Sequence, residues 1–150
     1  MGKDKKSAFR AVNDVANQPV TADNQVKVLF PTEQFDLKDE YNPATSTFIP
    51  DKDGVYLIIA SAQFSPGNTD PYRVRIVIRV NSTDVARDND FFSTLNIDND
   101  VAVTTIVELE ENDKVEVFLD STLAGEIVSD SATTRFEAAR LVSSDVSSSS

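Results

Sequence analysis

Cysteine and histidine are both missing from this 150-residue chain. Without them no disulfide, zinc site, iron–sulfur site, thiol nucleophile, Ser-His-Asp or Cys-His pair can be assembled, which removes most enzyme chemistry. Positive charge is scarce as well: 14 Lys and Arg stand against 25 Asp and Glu, a formal net charge of −11. Affinity for phosphate backbones comes mainly from Lys and Arg, so no nucleic-acid binding is expected. Long apolar runs are absent too. The longest, Val55 to Ala62, is far too short for a membrane-spanning helix, so no membrane insertion is expected. The opening residues lead into Ser7-Ala8-Phe9-Arg10 and not into a signal-peptide run. Gly2 would suit N-myristoylation, but Lys6 stands where that motif has Ser or Thr. Without cysteine the usual marker of compartment is silent.

What remains is enough for a core. Hydrophobic residues make up 40% of the chain and charged residues 26%, which fits one folded, non-catalytic domain. Residues 1–6 carry Lys3, Lys5 and Lys6 against Asp4, or +2, leaving −13 for the rest. They read as a flexible basic leader, with a docking arm as the other reading. Residues 143–150, Ser-Ser-Asp-Val-Ser-Ser-Ser-Ser, are low in complexity and read as a disordered tail or linker. The folded part is then 7–142.

Within it the hydrophobic period is two. Tyr72, Val74, Ile76, Ile78 and Val80 alternate with Arg73, Arg75, Val77 and Arg79. Val115, Val117 and Leu119 form one face of another run, and Val101, Val103, Thr105, Val107 and Leu109 one face of a third. Turn residues fall between: Pro43, Pro50 with Asp53-Gly54, Ser65-Pro66-Gly67-Asn68, Asn81-Ser82, Glu111-Asn112-Asp113 and Ala124-Gly125. Ala8 to Ala16 fits either a helix or a strand; a strand with Phe9 and Ala11 inward is preferred. The pattern predicts an all-β antiparallel sandwich or barrel.

Val55 to Phe64 is apolar on both faces, Val55, Leu57 and Ile59 on one, Tyr56, Ile58, Ala60, Ala62 and Phe64 on the other. Only one face of a sandwich strand meets the core, and a second apolar face in water costs about 25 cal/mol per Å2. A neighbouring subunit is the expected cover, with Tyr56, Ile58, Ala60 and Phe64 as interface residues. A loop folded back over that face is the alternative.

These segments resemble the globular-head family shared by complement subcomponent 1q and the tumour necrosis factor ligands, nearer the complement side. Ser7-Ala8-Phe9-Arg10-Ala11 is similar to its first strand. Phe48-Ile-Pro-Asp-Lys-Asp-Gly54-Val-Tyr56-Leu57 matches the pattern Phe-x-Pro-x-x-x-Gly-x-Tyr. Val80 to Arg87 resembles the family's hairpin, Val107 to Val117 its Leu-x-x-Gly-Asp-x-Val segment, and Thr134 to Leu141 its closing strand. Ser82, Asn112 and Ala138 stand where the family usually has glycine, as in a divergent bacterial or viral member. The resemblance implies a ten-stranded two-sheet jelly roll, a compact homotrimer, and a non-catalytic head. Such heads bind a protein or glycan through their loops, and some members hold calcium near the trimer axis. The number three comes from the resemblance alone.

Candidate sites follow from both readings. Asp84, Asp88, Asp90, Asp98 and Asp100 cluster around Phe91-Phe92, and calcium takes six to eight oxygen ligands. Asp88, Asp90, Asp98 and Asp100 are therefore the candidate calcium ligands, a solvated acidic loop being the other reading. The helix-loop-helix calcium signature itself fails at Ser93 and Asn99. Arg73, Arg75 and Arg79 share a strand face and form either an anion-binding stripe or ion pairs with neighbouring strands. Phe91 and Phe92 are adjacent and cannot both point inward, which makes one a contact residue or a barrel cap. Asn81-Ser82-Thr83 matches the N-glycosylation pattern, although a polar turn explains it as well. Two functions fit: a recognition or adhesion head, or a structural module such as a fibre tip, decoration or surface-layer component. Either places the protein outside the cell or on a particle.

Overall fold

Alternation of apolar and polar side chains sets the architecture. The computed structural model describes residues 6–93 and 98–143, and among these there are thirteen strands and no helix. No helix there is long and apolar enough to cross a membrane. The strands are β1 (Ala8–Val12), β2 (Gln18–Val20), β3 (Val26–Lys27), β4 (Thr32–Asp36), β5 (Tyr41–Asn42), β6 (Thr47–Phe48) and β7 (Gly54–Pro66). Then follow β8 (Tyr72–Val80), β9 (Thr83–Phe92), β10 (Asn99–Leu109), β11 (Val115–Ser121), β12 (Gly125–Ile127) and β13 (Arg135–Ser143). Five of them, β2, β3, β5, β6 and β12, have only two or three residues, which is why the count exceeds ten. Residues 1–5 of the expected leader and 144–150 of the expected tail lie outside the described residues. Ser143, assigned to the tail from sequence, instead ends β13 opposite Gly54.

The fold is a two-sheet antiparallel jelly-roll sandwich. Sheet A runs β10-β7-β13-β1-β4, with β12 and β2 continuing beyond β13 along the far end of β7. Sheet B runs β5-β6-β11-β8-β9, with β3 also on β11. β1 is a strand with Phe9 and Ala11 buried, as preferred from sequence. Its Phe9 stacks on Tyr41 at 4.7 Å and meets Phe48 at 4.9 Å and Phe136 at 5.1 Å. A second aromatic chain joins Phe64 to Tyr72 at 5.5 Å and Tyr72 to Phe92 at 5.7 Å.

One expectation is reversed. Tyr56, Ile58, Ala60 and Phe64, assigned to a subunit interface, are fully buried inside the single chain. They point at sheet B, where Tyr56 meets Phe48 and Phe64 meets Tyr72, so no neighbour can reach them. The outward row of β7 is the other one, Val55, Leu57 and Ile59, all half-buried.

Polar groups lock the pole where β7 begins. Buried Glu40 accepts from the Ser7 hydroxyl at 2.6 Å and from the Asp51 N–H at 2.8 Å, fastening the start of β1 to the turn before β7. Desolvation pushes its carboxyl above the usual range. The Asn81-Ser82 turn joins β8 to β9 with φ of 51° and 70°, the left-handed pair of a type I′ hairpin built without glycine. At Asn112, φ is 73°, and asparagine tolerates that region. Glycine serves close approach instead: a Cβ on Gly125 would lie 2.2 Å from the Ser65 carbonyl oxygen across the β12–β7 pair.

Two stability measurements check this account. Gly125→Ala should lower the unfolding free energy by about 1–3 kcal/mol in urea titration, the range for overpacking a fixed site. Ser82→Gly should raise it by about 0.5–1 kcal/mol, since glycine removes the Cβ penalty at positive φ.

Candidate functional site

The outer face of sheet B collects cations from three strands, β3, β8 and β9. Register places Arg73 opposite Phe91, Arg75 opposite Asn89 and Val77 opposite Arg87 on β9, with Asp120 opposite Arg75 and Phe118 opposite Val77 on β11. Lys27 on β3 pairs with Glu116 at 2.7 Å. Arg79 pairs with Asp84 at 2.7 Å and lies 4.4 Å above the Phe118 ring. Arg73, Arg75 and Arg79 are therefore ion-paired with acids, Arg73 and Arg75 sharing Asp120 on β11 and Arg79 meeting Asp84 on β9. Such half-exposed pairs contribute little stability. Their effect is to fix where the guanidinium groups point.

At the end of this face where β8 starts and β9 ends lies a cleft of about 540 Å3. It brings together three of the expected contact residues, Arg73, Phe91 and Phe92. Alternation settles the pair of phenylalanines. Phe92 turns inward onto Tyr72, and Phe91 turns outward beside Arg73 with 72% of its surface exposed. Pro71 and Thr122, which sequence reasoning did not single out, complete the walls. The Arg73 N–H donates to the Thr122 hydroxyl oxygen at 2.9 Å, and the Thr122 N–H to the Arg73 carbonyl at 3.0 Å. Burial pushes the Tyr72 hydroxyl above its usual pKa, Asp98 and Asp90 adding to the rise and Asn99 opposing it.

The acidic residues do not converge. Asp88 and Asp90 lie on β9, Asp100 lies on β10 opposite Gln63, and Asp98 accepts from the Gln63 side chain at 2.8 Å. Among the described residues no three acidic side chains form a group able to hold a metal ion; residues 94–97, inside the expected calcium segment, lie outside them. The Asn81 amide is occupied on both sides, donating to Asp113 at 2.8 Å and accepting from the Lys114 N–H at 2.9 Å. That arrangement favours the polar-turn reading over a glycan acceptor.

A second surface is the outer face of sheet A. Phe35 on β4 is 45% exposed and Ile106 on β10 is 62% exposed, and between them run Ala8, Ala139, Leu57 and Ile59. A dimple of about 170 Å3 lies among Phe35, Leu57, Ile59 and the small residues Ala8, Ala138 and Ala139. Arg10 and Glu137 pair at 3.2 Å within the same face. Sequence had shown that β7 was apolar on both sides, but the single residues Phe35 and Ile106 carried no signal until register placed them beside it.

No family model and no curated protein matches this chain. Its fold does match solved structures. The globular domain of zebrafish complement 1qA protein aligns over 92% of this chain and 99% of its own, with 16% identity and a TM-score of 0.66. Murine APRIL aligns over 91% and 100%, with 13% identity and a TM-score of 0.67. The Eiger TNF of S. frugiperda aligns over 94% and 96%, with 11% identity and a TM-score of 0.64. The chain thus carries the jelly roll of the complement 1q and tumour necrosis factor heads, as the resemblance implied.

The three tyrosines give a pH test. Tyr41, Tyr56 and Tyr72 all have raised pKa values through burial, Tyr56 to about 12. The folded state therefore holds the phenolic protons more tightly than the unfolded chain, whose tyrosines titrate near 10. That stability is complete below about pH 10 and is lost as pH rises through the folded values. Phenolate absorbance and loss of circular dichroism should rise together in the alkaline range. Normal tyrosine titration in a still-folded protein would contradict the burial argument.

Proposed function

We propose that this chain is a non-catalytic recognition head that works as a homotrimer outside the cell or on a particle. Its subunits meet through the outer face of sheet A, and its loops at the cleft end hold a protein or glycan ligand. The observation that carries the reading is the outward apolar row of exposed Phe35 and Ile106 and half-buried Leu57 and Ile59, on a sheet whose inner face packs into the core. Leaving that row in water costs about 25 cal/mol per Å2, and self-association removes the cost. The number three follows the resemblance to the complement 1q and tumour necrosis factor heads.

The direction of the strands supports the division of labour. β1 starts and β13 ends beside Gly54, whereas the cleft sits near Phe64 and Tyr72 at the other end of β7. The thirteen residues of β7 separate the two poles by roughly 40 Å. A stalk or particle joined at the chain ends would leave the cleft pointing away.

Light scattering tests the assembly. The mass should be three times 16.4 kDa in calcium and equally in chelator, because apolar burial and not a cation holds the subunits. Ile59→Arg should give a monomer with unchanged circular dichroism. A monomeric parent protein would overturn the reading, and a trimer that dissociates only in chelator would move the stabilising role to calcium.

A further inference from the structure

Two arginines share one carboxylate at the cleft, and they share it unequally. Arg75 holds one oxygen of Asp120 through Nε at 3.1 Å and a terminal nitrogen at 3.0 Å. Arg73 reaches the other oxygen at 3.4 Å, and its buried Nε has no acceptor among the described residues. A guanidinium carries five N–H donors in a planar fork suited to a carboxylate. Among the described residues Arg73 engages one of them, at long range. Asp120 is 7% exposed and committed to Arg75, so it cannot turn to satisfy both.

Beside this under-used cation stands Phe91, the most exposed large hydrophobic side chain among the described residues. The floor behind it is aromatic, with Tyr72 and Phe92 in contact at 5.7 Å. The Thr122 hydroxyl accepts from the Arg73 backbone, which leaves its own proton to donate. Ser93 offers a second hydroxyl on the opposite wall.

We propose that this cleft binds an acidic sugar, with the carboxylate on the Arg73 guanidinium and the C–H face of the ring against Phe91. The Thr122 and Ser93 hydroxyls bond the sugar hydroxyls. The proposal deepens the recognition reading and rests on it. Arg73, Phe91 and the Ser93 and Thr122 hydroxyls line the same cleft, a mixture of cation, ring face and hydroxyls that suits a sugar acid. The net charge of −11 repels polyanions at a distance, so one local cation selects a single carboxylate at contact and not a highly sulfated polymer.

The test is a calorimetric titration of the full chain with methyl glucuronide and, separately, methyl glucoside. The glucuronide should bind saturably and at least tenfold more tightly. Arg73→Gln should remove that difference. Phe91→Ala, at a position too exposed to affect folding, should weaken the glucuronide at least fivefold. Equal affinities, no saturable binding of the glucuronide, or full binding by Phe91→Ala would each overturn the proposal. Binding of an acidic peptide in place of the glucuronide would overturn it in favour of a protein ligand. Mass measured on the same sample separates the two readings. A trimer that ignores the glucuronide defeats only the sugar proposal, and a monomer that binds it defeats only the assembly.

Discussion

The inward row of β7 is the constraint on which the remaining structure depends. Tyr56, Ile58, Ala60 and Phe64 fill the space between the sheets, while the backbone of the same strand bonds β10 on one side and β13 and β12 on the other. Rings carry the order outward from that row in both directions. Tyr56 touches Phe48, and Phe48 touches Phe9 at the pole of the chain ends. Phe64 touches Tyr72, and Tyr72 touches Phe92 at the cleft. Since neighbours on a strand face opposite ways, anchoring Phe92 inward obliges Phe91 to stand in solvent. The exposed ring at the cleft is thus a mechanical result of core packing several residues away.

Much of the fold was legible because the period-two pattern is strong wherever one face is buried. The runs Tyr72–Val80, Val101–Leu109 and Val115–Leu119 came out as strands with the expected inward residues. The match of Phe48 to Leu57 with a family pattern pointed to the same jelly roll, and Gly54 in it sits where a Cβ would meet Arg140 and the Val142 carbonyl. What sequence could not decide was which apolar face of β7 is interior. Both rows are hydrophobic, and only the reach of Tyr56 and Phe64 to rings on sheet B distinguishes them. The sharing of Asp120 by two arginines was hidden for a related reason. It depends on the register of β8 against β11, where the paired residues Val80 and Val115 lie 35 positions apart (115 minus 80). The acidic segment shows the opposite failure: closeness in sequence suggested a cluster, whereas Asp88 and Asp90 belong to sheet B and Asp100 to sheet A.

Charge is distributed as unevenly as apolar surface. The outer face of sheet B carries Lys27, Arg73, Arg75, Arg79 and Arg87 against Asp84, Glu116 and Asp120, five minus three, or +2. The whole chain carries −11. One outer face is therefore locally basic on an acidic protein, and the other carries an apolar patch beside the Arg10–Glu137 pair. The two faces suit different contacts, and packing copies together through one leaves the other open.

The first and last strands have a further consequence. β1 and β13 are antiparallel neighbours, and Ser7 and Arg140 are bonded at the pole where both segments leave the domain. A pull on the two ends would load that ladder one rung at a time, as a zipper opens, and not all rungs at once. Taken alone, the domain is thus mechanically soft along this axis despite its well-filled interior. Strain applied through one end, with the sheet face held by neighbours, meets many hydrogen bonds in parallel. The same ladder is therefore weak when peeled from its two ends and strong when sheared from one.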